Sequence, residues 1–131
     1  MTGRPRILVV DDNPANLRLL RMLLLGESYE VRTAADAAEA LAVVGEFRPG
    51  LILMDLQMPG MDGFELTRRL KADAATREIV IVALTAYAMK GDEEKARAAG
   101  CDDYVSKPID TRTLPALIGR YVSGRDAQGA P

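Results

Sequence analysis

The chain has 131 residues, which suits one domain with one hydrophobic core, and its 48% hydrophobic and 27% charged residues are ordinary for globular domains. Its 17 basic and 19 acidic side chains give a net charge of −2, which offers no support for a nucleic-acid or membrane-surface role. With one cysteine and no histidine, the sequence excludes an internal disulfide, Ser-His-Asp or Cys-His catalysis, and histidine metal sites.

Short apolar segments alternate along the chain with segments in which apolar residues recur at helical spacing. We predict strands at residues 7–10, 29–33, 51–54, 79–84 and 103–106. We predict helices from Asn13-Pro14 through Leu24, and at residues 36–47, 64–72, 89–99 and 110–122, the fourth ended by Gly100. This strict alternation is typical of an α/β fold, a parallel sheet with helices on both faces. We expect one domain over residues 1–131, with a core at about 5–122 and a flexible polar tail at 123–131.

Pro115 conflicts with a last helix that starts at Asp110. An interior proline lacks an N–H and clashes with the preceding turn, at a cost of about 3 kcal/mol or more. We therefore expect the helix to begin near Thr113, so that Pro115 lies in the first turn, where its missing N–H is not needed.

Polar residues follow the predicted strands. Asp11 and Asp12 come after the first strand, Asp55 after the third, Thr85 after the fourth and Lys107 after the fifth. In a doubly wound parallel sheet, the carboxyl ends of the strands share one edge, and ligands bind where the strand order reverses. Residues that are distant in sequence should therefore meet at one site.

Three carboxylates in one pocket repel each other unless a cation or a proton neutralises them. Because neither histidine nor a second cysteine is present, the ligands are oxygens, which favours Mg²⁺, with Mn²⁺ as the alternative. Mg²⁺ commonly keeps coordination positions for water and phosphate, so this donor set points to phosphoryl chemistry. A carboxylate can serve as the nucleophile and become an aspartyl phosphate.

Over residues 6–122 the sequence resembles the receiver domains of bacterial response regulators. The matching segments are ILVVDDN at 7–13, LMDLQMPGMDG at 53–63, ALTA at 83–86 and YVSKP at 104–108, in the family's order and spacing. Residues 89–94 and 100–101 also resemble stand-alone cell-division regulators of the DivK type. The resemblance implies a flavodoxin-like (βα)5 fold with strand order 2-1-3-4-5, and a phosphoacceptor switch rather than a conventional enzyme.

The resemblance also implies roles at the acidic site. Asp55 would accept the phosphoryl group and ligate the metal ion. Asp12 would ligate Mg²⁺ directly, and Asp11 would act mainly through water. Gln57 would offer its backbone carbonyl to the ion.

Further residues would hold the phosphoryl group and respond to it. Lys107 would pair with the group, and Thr85 would donate its hydroxyl to it. Tyr104 would be the switch aromatic, and Pro108 would help to aim the lysine. The last two helices and the fifth strand would form the surface that changes its protein contacts.

The family's partners are a histidine kinase or histidine phosphotransfer protein as the donor, and a downstream protein as the target. The absence of histidine here suits a donor histidine supplied by the partner. We expect a cytoplasmic chain, either a monomer or a weak, phosphorylation-linked dimer, without nucleic-acid or membrane partners.

Other interpretations of these residues exist. Asp11 and Asp12 alone would suit helix capping, Tyr104 a half-buried strand aromatic, and Cys101 a small buried apolar residue. An aspartyl phosphatase would place its nucleophile after the first strand, and an FMN binder would need a less acidic loop there. A third alternative is a docking domain that is never phosphorylated.

Overall fold

The computed structural model describes residues 5–27, 29–56, 63–85, 90–106 and 109–129, without the side chains of 90–92 and 123–129. Ten elements alternate in these ranges: β1 (Arg6–Val10), α1 (Pro14–Leu25), β2 (Glu30–Ala34), α2 (Ala37–Phe47), β3 (Leu51–Asp55), α3 (Gly63–Ala72), β4 (Val80–Thr85), α4 (Lys90–Ala99), β5 (Asp103–Ser106) and α5 (Thr113–Gly129). All five predicted strands and all five predicted helices are confirmed, with most ends shifted by one residue or less.

The strands form one parallel sheet in the order β2-β1-β3-β4-β5, as the resemblance implied. The chain adds β2 on one side of β1 and β3 on the other, so the strand order reverses at β1. Val10 is paired with both Ala34 and Met54, while Asp55 lies opposite Leu84. This register brings the carboxyl ends of β1, β3 and β4 to one edge.

The hydrophobic core has two layers because alternate residues of each strand face opposite sides of the sheet. Leu8 and Val10 of β1 pack with apolar residues of α2, α3 and α4. Ile7 and Val9 pack on the other side with apolar residues of α1 and α5. Helices on both faces explain why β1, β3 and β4 are apolar without polar alternation.

Two helix ends follow the sequence signals. Asn13 is the N-cap of α1, and its side chain accepts hydrogen bonds from the backbone N–H groups of Ala15 and Asn16. Gly100 ends α4 with a φ of 113°, in the region of backbone space that a side chain disfavours. The prediction of Gly100 as a helix stop is confirmed.

The last helix begins where Pro115 predicted and ends later than expected. Leu114 N–H donates to the Asp110 carbonyl at 3.1 Å, but Pro115 has no N–H for Thr111, so regular helix starts at Thr113. The predicted end at Val122 was wrong, because α5 continues to Gly129 through most of the segment expected to be a flexible tail. Once formed, a helix adds residues at little cost, so α5 continues through Gly124, and the next proline is Pro131.

Among the described residues, no helix combines the length and apolar character needed to cross a membrane.

Candidate functional site

Three aspartates converge at the carboxyl edge of β1 and β3. One carboxylate oxygen from each of Asp11, Asp12 and Asp55 lies within 4.8 Å of the other two. Asp11 is 0% exposed and Asp55 is 2% exposed, whereas Asp12 faces solvent. The structure therefore brings together the acids predicted from the ends of the first and third strands.

Asp11 is held by groups from the start of α1 and from β2. Its backbone N–H donates to the Ala34 carbonyl at 3.1 Å. Its Oδ1 accepts from the backbone N–H of Asn13 at 2.9 Å, and its Oδ2 accepts from Nδ2 of Asn16 at 3.3 Å. Because Asn13 caps the helix, capping does not account for Asp11 and Asp12. The N–H groups here also favour negative charge at this helix start.

Asp55 is the last residue of β3, and the chain around it is tightly constrained. Leu56 N–H donates to the Leu84 carbonyl at 3.0 Å, which extends the β3–β4 pairing past Asp55. Gly63 N–H donates to the Leu56 carbonyl at 3.3 Å. A Cβ on Gly63 would lie 2.5 Å from the Asp55 carbonyl oxygen, so the first residue of α3 has no room for a side chain.

Thr85 and Tyr104 lie on the neighbouring strands. Thr85 is the last residue of β4, is fully buried and is paired with Ser106 of β5. Tyr104 is half-buried, lies opposite Ala83 and packs against the core layer that contains α2, α3 and α4. Thr85 thus ends the strand next to β3, at the same edge as the aspartates.

Two predicted site residues, Gln57 and Lys107, lie outside the described residues, as does Pro108. Sequence reasoning missed two supporting residues. Asn16 reaches back to Asp11, and its only signal was its place in the first turn of α1 after Asn13. Gly63 ends the family-like segment at 53–63, but its close approach to Asp55 depends on how α3 packs on β3.

The acid cluster suits a hard divalent cation. Two buried carboxylates and a third beside them repel one another in a medium that screens charge poorly. The donors are all oxygens and one side is open through Asp12, which fits Mg²⁺ with bound water. A bound cation would remove the mutual repulsion of the acids.

Cys101 lies apart from this site. It is buried, and its Sγ donates to Oγ1 of buried Thr67 at 3.8 Å. Burial raises the pKa of the thiol, and this effect exceeds the lowering by its hydrogen bond with Thr67. The residue is therefore a packed thiol, as predicted from the sequence.

The fold and the acid cluster define a doubly wound α/β domain with an oxygen-ligand site at its switch point. The chain belongs to the family of response regulator receiver domains, which its residues 7–119 match. It is a receiver domain of the two-component type, similar to CheY in fold.

Known response regulators are similar to this chain in sequence and in fold over most of its length. The polar-differentiation response regulator DivK of Brucella anthropi is 43% identical over 116 residues, which cover 88% of this chain and 94% of that protein. A CheY-like receiver domain from Methanospirillum hungatei is 31% identical with a TM-score of 0.89, covering 97% of this chain and all of that one. The receiver domain of the sensor histidine kinase PA1611 from Pseudomonas aeruginosa is 35% identical with a TM-score of 0.83, covering 93% and 99%. The latter structure has a magnesium ion coordinated in its active-site cleft.

Proposed function

We propose that the protein is a phospho-switch in which Asp55 accepts a phosphoryl group from a phosphohistidine of a histidine kinase or histidine phosphotransfer protein. The observation that carries the proposal is the convergence of Asp55 with Asp11 and Asp12 within 4.8 Å at the edge where the strand order reverses. Asp55 is the group best placed to react, since it ends the central strand β3.

The metal ion in this proposal is Mg²⁺, held by Asp11, Asp12, Asp55 and the backbone carbonyl of Gln57. Mg²⁺ would supply positive charge that neutralises the carboxylates and the phosphoryl oxygens. Mn²⁺ would suit the same oxygen donors. The magnesium ion in the cleft of the related PA1611 receiver domain supports this assignment by similarity.

In the transfer step, a carboxylate oxygen of Asp55 forms a bond to phosphorus while the bond from phosphorus to the donor's imidazole nitrogen breaks. The electron pair of that bond leaves with the imidazole, which then takes up a proton. Lys107 pairs with the phosphoryl oxygens, and Thr85 donates its hydroxyl to one of them. The residues position the group and stabilise its charge, so the protein assists its own modification without acting as a conventional enzyme.

The output is a change in protein binding. The phosphoryl group adds negative charge and acceptor oxygens beside Thr85 at the end of β4. Thr85 moves toward the group, and Tyr104 on the adjacent strand follows it inward. Because Tyr104 belongs to β5 and packs against the core, its movement alters the face formed by α4, β5 and α5, where a downstream protein binds.

We infer that the donor docks on helix α1. Helix α1 begins beside Asp11 and Asp12, and it exposes Leu19 (42%), Met22 (67%) and Leu25 (44%). These are three of the four large hydrophobic residues exposed in the described part of the chain. We place the donor's phosphohistidine domain on this apolar surface of the helix whose start lies beside the acid cluster.

In this role, residues 1–131 form a single cytoplasmic receiver domain that is monomeric or dimerises weakly when phosphorylated. Its test is to incubate the chain with Mg²⁺ and phosphoramidate and to record its intact mass, beside Asp55→Asn. One added phosphoryl group is expected, absent in the variant and in EDTA. No added mass and no response to beryllofluoride with Mg²⁺ would instead favour a docking domain that is never phosphorylated.

A further inference from the structure

Asp102, the residue before β5, forms hydrogen bonds with both the backbone carbonyl and the backbone N–H of Ile81. Its backbone N–H donates to the Ile81 carbonyl at 2.7 Å. Its side-chain Oδ2 accepts from the Ile81 N–H at 2.8 Å, where a strand would present a backbone carbonyl. One residue thus binds β4 through backbone and side chain at the point where β5 begins. The first ladder pair, Val82 with Asp103, follows directly.

Lys71, near the end of α3, joins this contact to the rest of the domain. Its Nζ lies 3.0 Å from Oδ2 of Asp102 and also donates to the carbonyls of Ile79 at 2.7 Å and Arg77 at 3.2 Å. Three acceptors therefore match the three N–H bonds of the ammonium group. The Lys71 side chain is 21% exposed and that of Asp102 is 38% exposed, so the lysine is partly buried while the carboxylate borders solvent. The three acceptors on one ammonium group, rather than the ion pair alone, give this contact its geometry.

Gly100 makes room for the lysine. A Cβ at this position would lie 2.7 Å from Cγ of Lys71. The stem of the lysine therefore packs on the backbone at the end of α4, while its ammonium group binds the segments that lead into β4 and β5. One side chain of α3 fixes the starts of two strands and the end of a helix.

The register of β5 depends strongly on this start. The strand has four residues, lies at the edge of the sheet and pairs only with β4. Its register places Tyr104 opposite Ala83 and Ser106 opposite Thr85, and Lys107 follows Ser106 in the sequence. A short edge strand has few ladder bonds to resist slippage, so a contact at its start constrains its far end.

We propose that Lys71 and Asp102 are positioning residues for phosphoryl acceptance. They hold β5 in the register that places Tyr104 opposite Ala83 and Ser106 opposite Thr85, two and four residues beyond Asp102, or about 7 and 13 Å at roughly 3.3 Å per residue. Lys107 follows Ser106 in the sequence. This inference rests on the proposed function. The described contacts of Asp11 and Asp55 are with β2, α1 and β4 rather than with β5. The pair should therefore act on phosphoryl transfer and leave Mg²⁺ binding nearly unchanged.

The experiment compares Lys71→Met, which keeps a similar stem on Gly100 but removes the ammonium group, with the wild-type chain. Asp102→Asn is the milder second variant, because it keeps an acceptor for Ile81 and loses the charge. Arg69→Met is the control, since it removes an exposed pair with Glu65 from the same helix. Mg²⁺ affinity is measured by calorimetry and the phosphorylation rate with phosphoramidate by intact mass, both well below each variant's Tm.

For Lys71→Met we expect a phosphorylation rate lowered by about tenfold or more, since misplacement of a reacting group by about 1 Å can cost roughly 10²-fold. The Mg²⁺ Kd should stay within about twofold, a split that loss of folded protein alone would not produce. Asp102→Asn should show a smaller decrease and Arg69→Met none. Equal rates in Lys71→Met and wild type, or a parallel loss of rate and Mg²⁺ affinity, would overturn the inference.

Backbone amide NMR spectra separate this inference from the proposed function. In Lys71→Met, the cross-peaks of residues 104–106 should shift or broaden, while those of β1 stay in place. If the wild-type chain takes up no phosphoryl group, the proposed function fails, and the amide spectra alone decide the positioning role. Unchanged β5 cross-peaks would then refute it.

Discussion

Gly63, the first residue of α3, lies so close to Asp55 that a Cβ would be 2.5 Å from the Asp55 carbonyl oxygen. It would also be 2.8 Å from the Cα of Leu56. Both atoms belong to the backbone, so neither can move aside as the end of a flexible side chain could. The start of α3 and the residue proposed to be phosphorylated therefore share one rigid contact.

Gly63→Ala should lower the free energy of unfolding by about 1–3 kcal/mol, the usual cost of inserting atoms into a packed site. It should also weaken stabilisation by Mg²⁺, because the end of β3 must shift. The matched control is Gly45→Ala in α2, where a Cβ has open space and the change should raise stability by roughly 0.5–1 kcal/mol. Urea denaturation with and without Mg²⁺ measures both effects. Equal stability of the two variants would show that the contact carries no strain.

Asp55→Asn should raise the Tm in EDTA, since it removes one of three mutually repelling charges. Mg²⁺ at about 100 times its Kd should stabilise the wild-type chain by about 2.7 kcal/mol and the variant by less. The control is Glu94→Gln, the same charge change at an exposed residue of α4. Thermal melting across a Mg²⁺ series provides the measurement. A wild-type Tm that does not change with the Mg²⁺ concentration would argue against the metal site.

Met22→Glu should reduce phosphotransfer from a phosphohistidine donor by at least about tenfold, by placing a charge in the apolar α1 surface. Its phosphorylation by phosphoramidate should be unchanged, because that small donor needs no docking. Leu41→Glu, at an exposed position of α2 on the other side of the sheet, is the control and should leave both rates unchanged. Equal loss with both donors would point to damage at the acid site rather than to lost docking.

Cys101 should react slowly with thiol reagents at pH 7–8 in the folded chain and rapidly in urea, because burial both blocks access and raises its pKa. A raised pKa favours the protonated thiol in the folded state. The contribution of the buried thiol to the free energy of unfolding is therefore complete below the unfolded pKa of about 8.5. It is lost as the pH rises through the pKa of the folded state. Stability should fall more steeply above pH 8.5 in the wild type than in Cys101→Ala, since the raised pKa values of Tyr29 and Tyr121 act in both. Parallel curves would contradict this.

The elements and their order were predictable because the signals are local. Strands buried on both faces require uninterrupted apolar runs, and β1, β3 and β4 have them. Pro115 located the start of α5, because a proline N atom cannot donate to the preceding turn. The end of α5 was missed, since residues 123–129 lack apolar periodicity and Gly124 disfavours a helix, yet the helix continues through it.

The sequence by itself determined the composition of the candidate site. Asp11, Asp12, Asp55 and Thr85 come at or just after strand ends, and a parallel sheet brings such ends to one edge whatever the helices contribute. Only the tertiary structure decided how these residues are supported: Asn16 bonded to Asp11, Gly63 pressed against Asp55, and Lys71 joined to Asp102. Lys71 and Asp102 lie 31 residues apart in the chain, so no local pattern could pair them. Such contacts depend on the position of each helix on the sheet to within about an ångström. That position is set by the packing of the whole core.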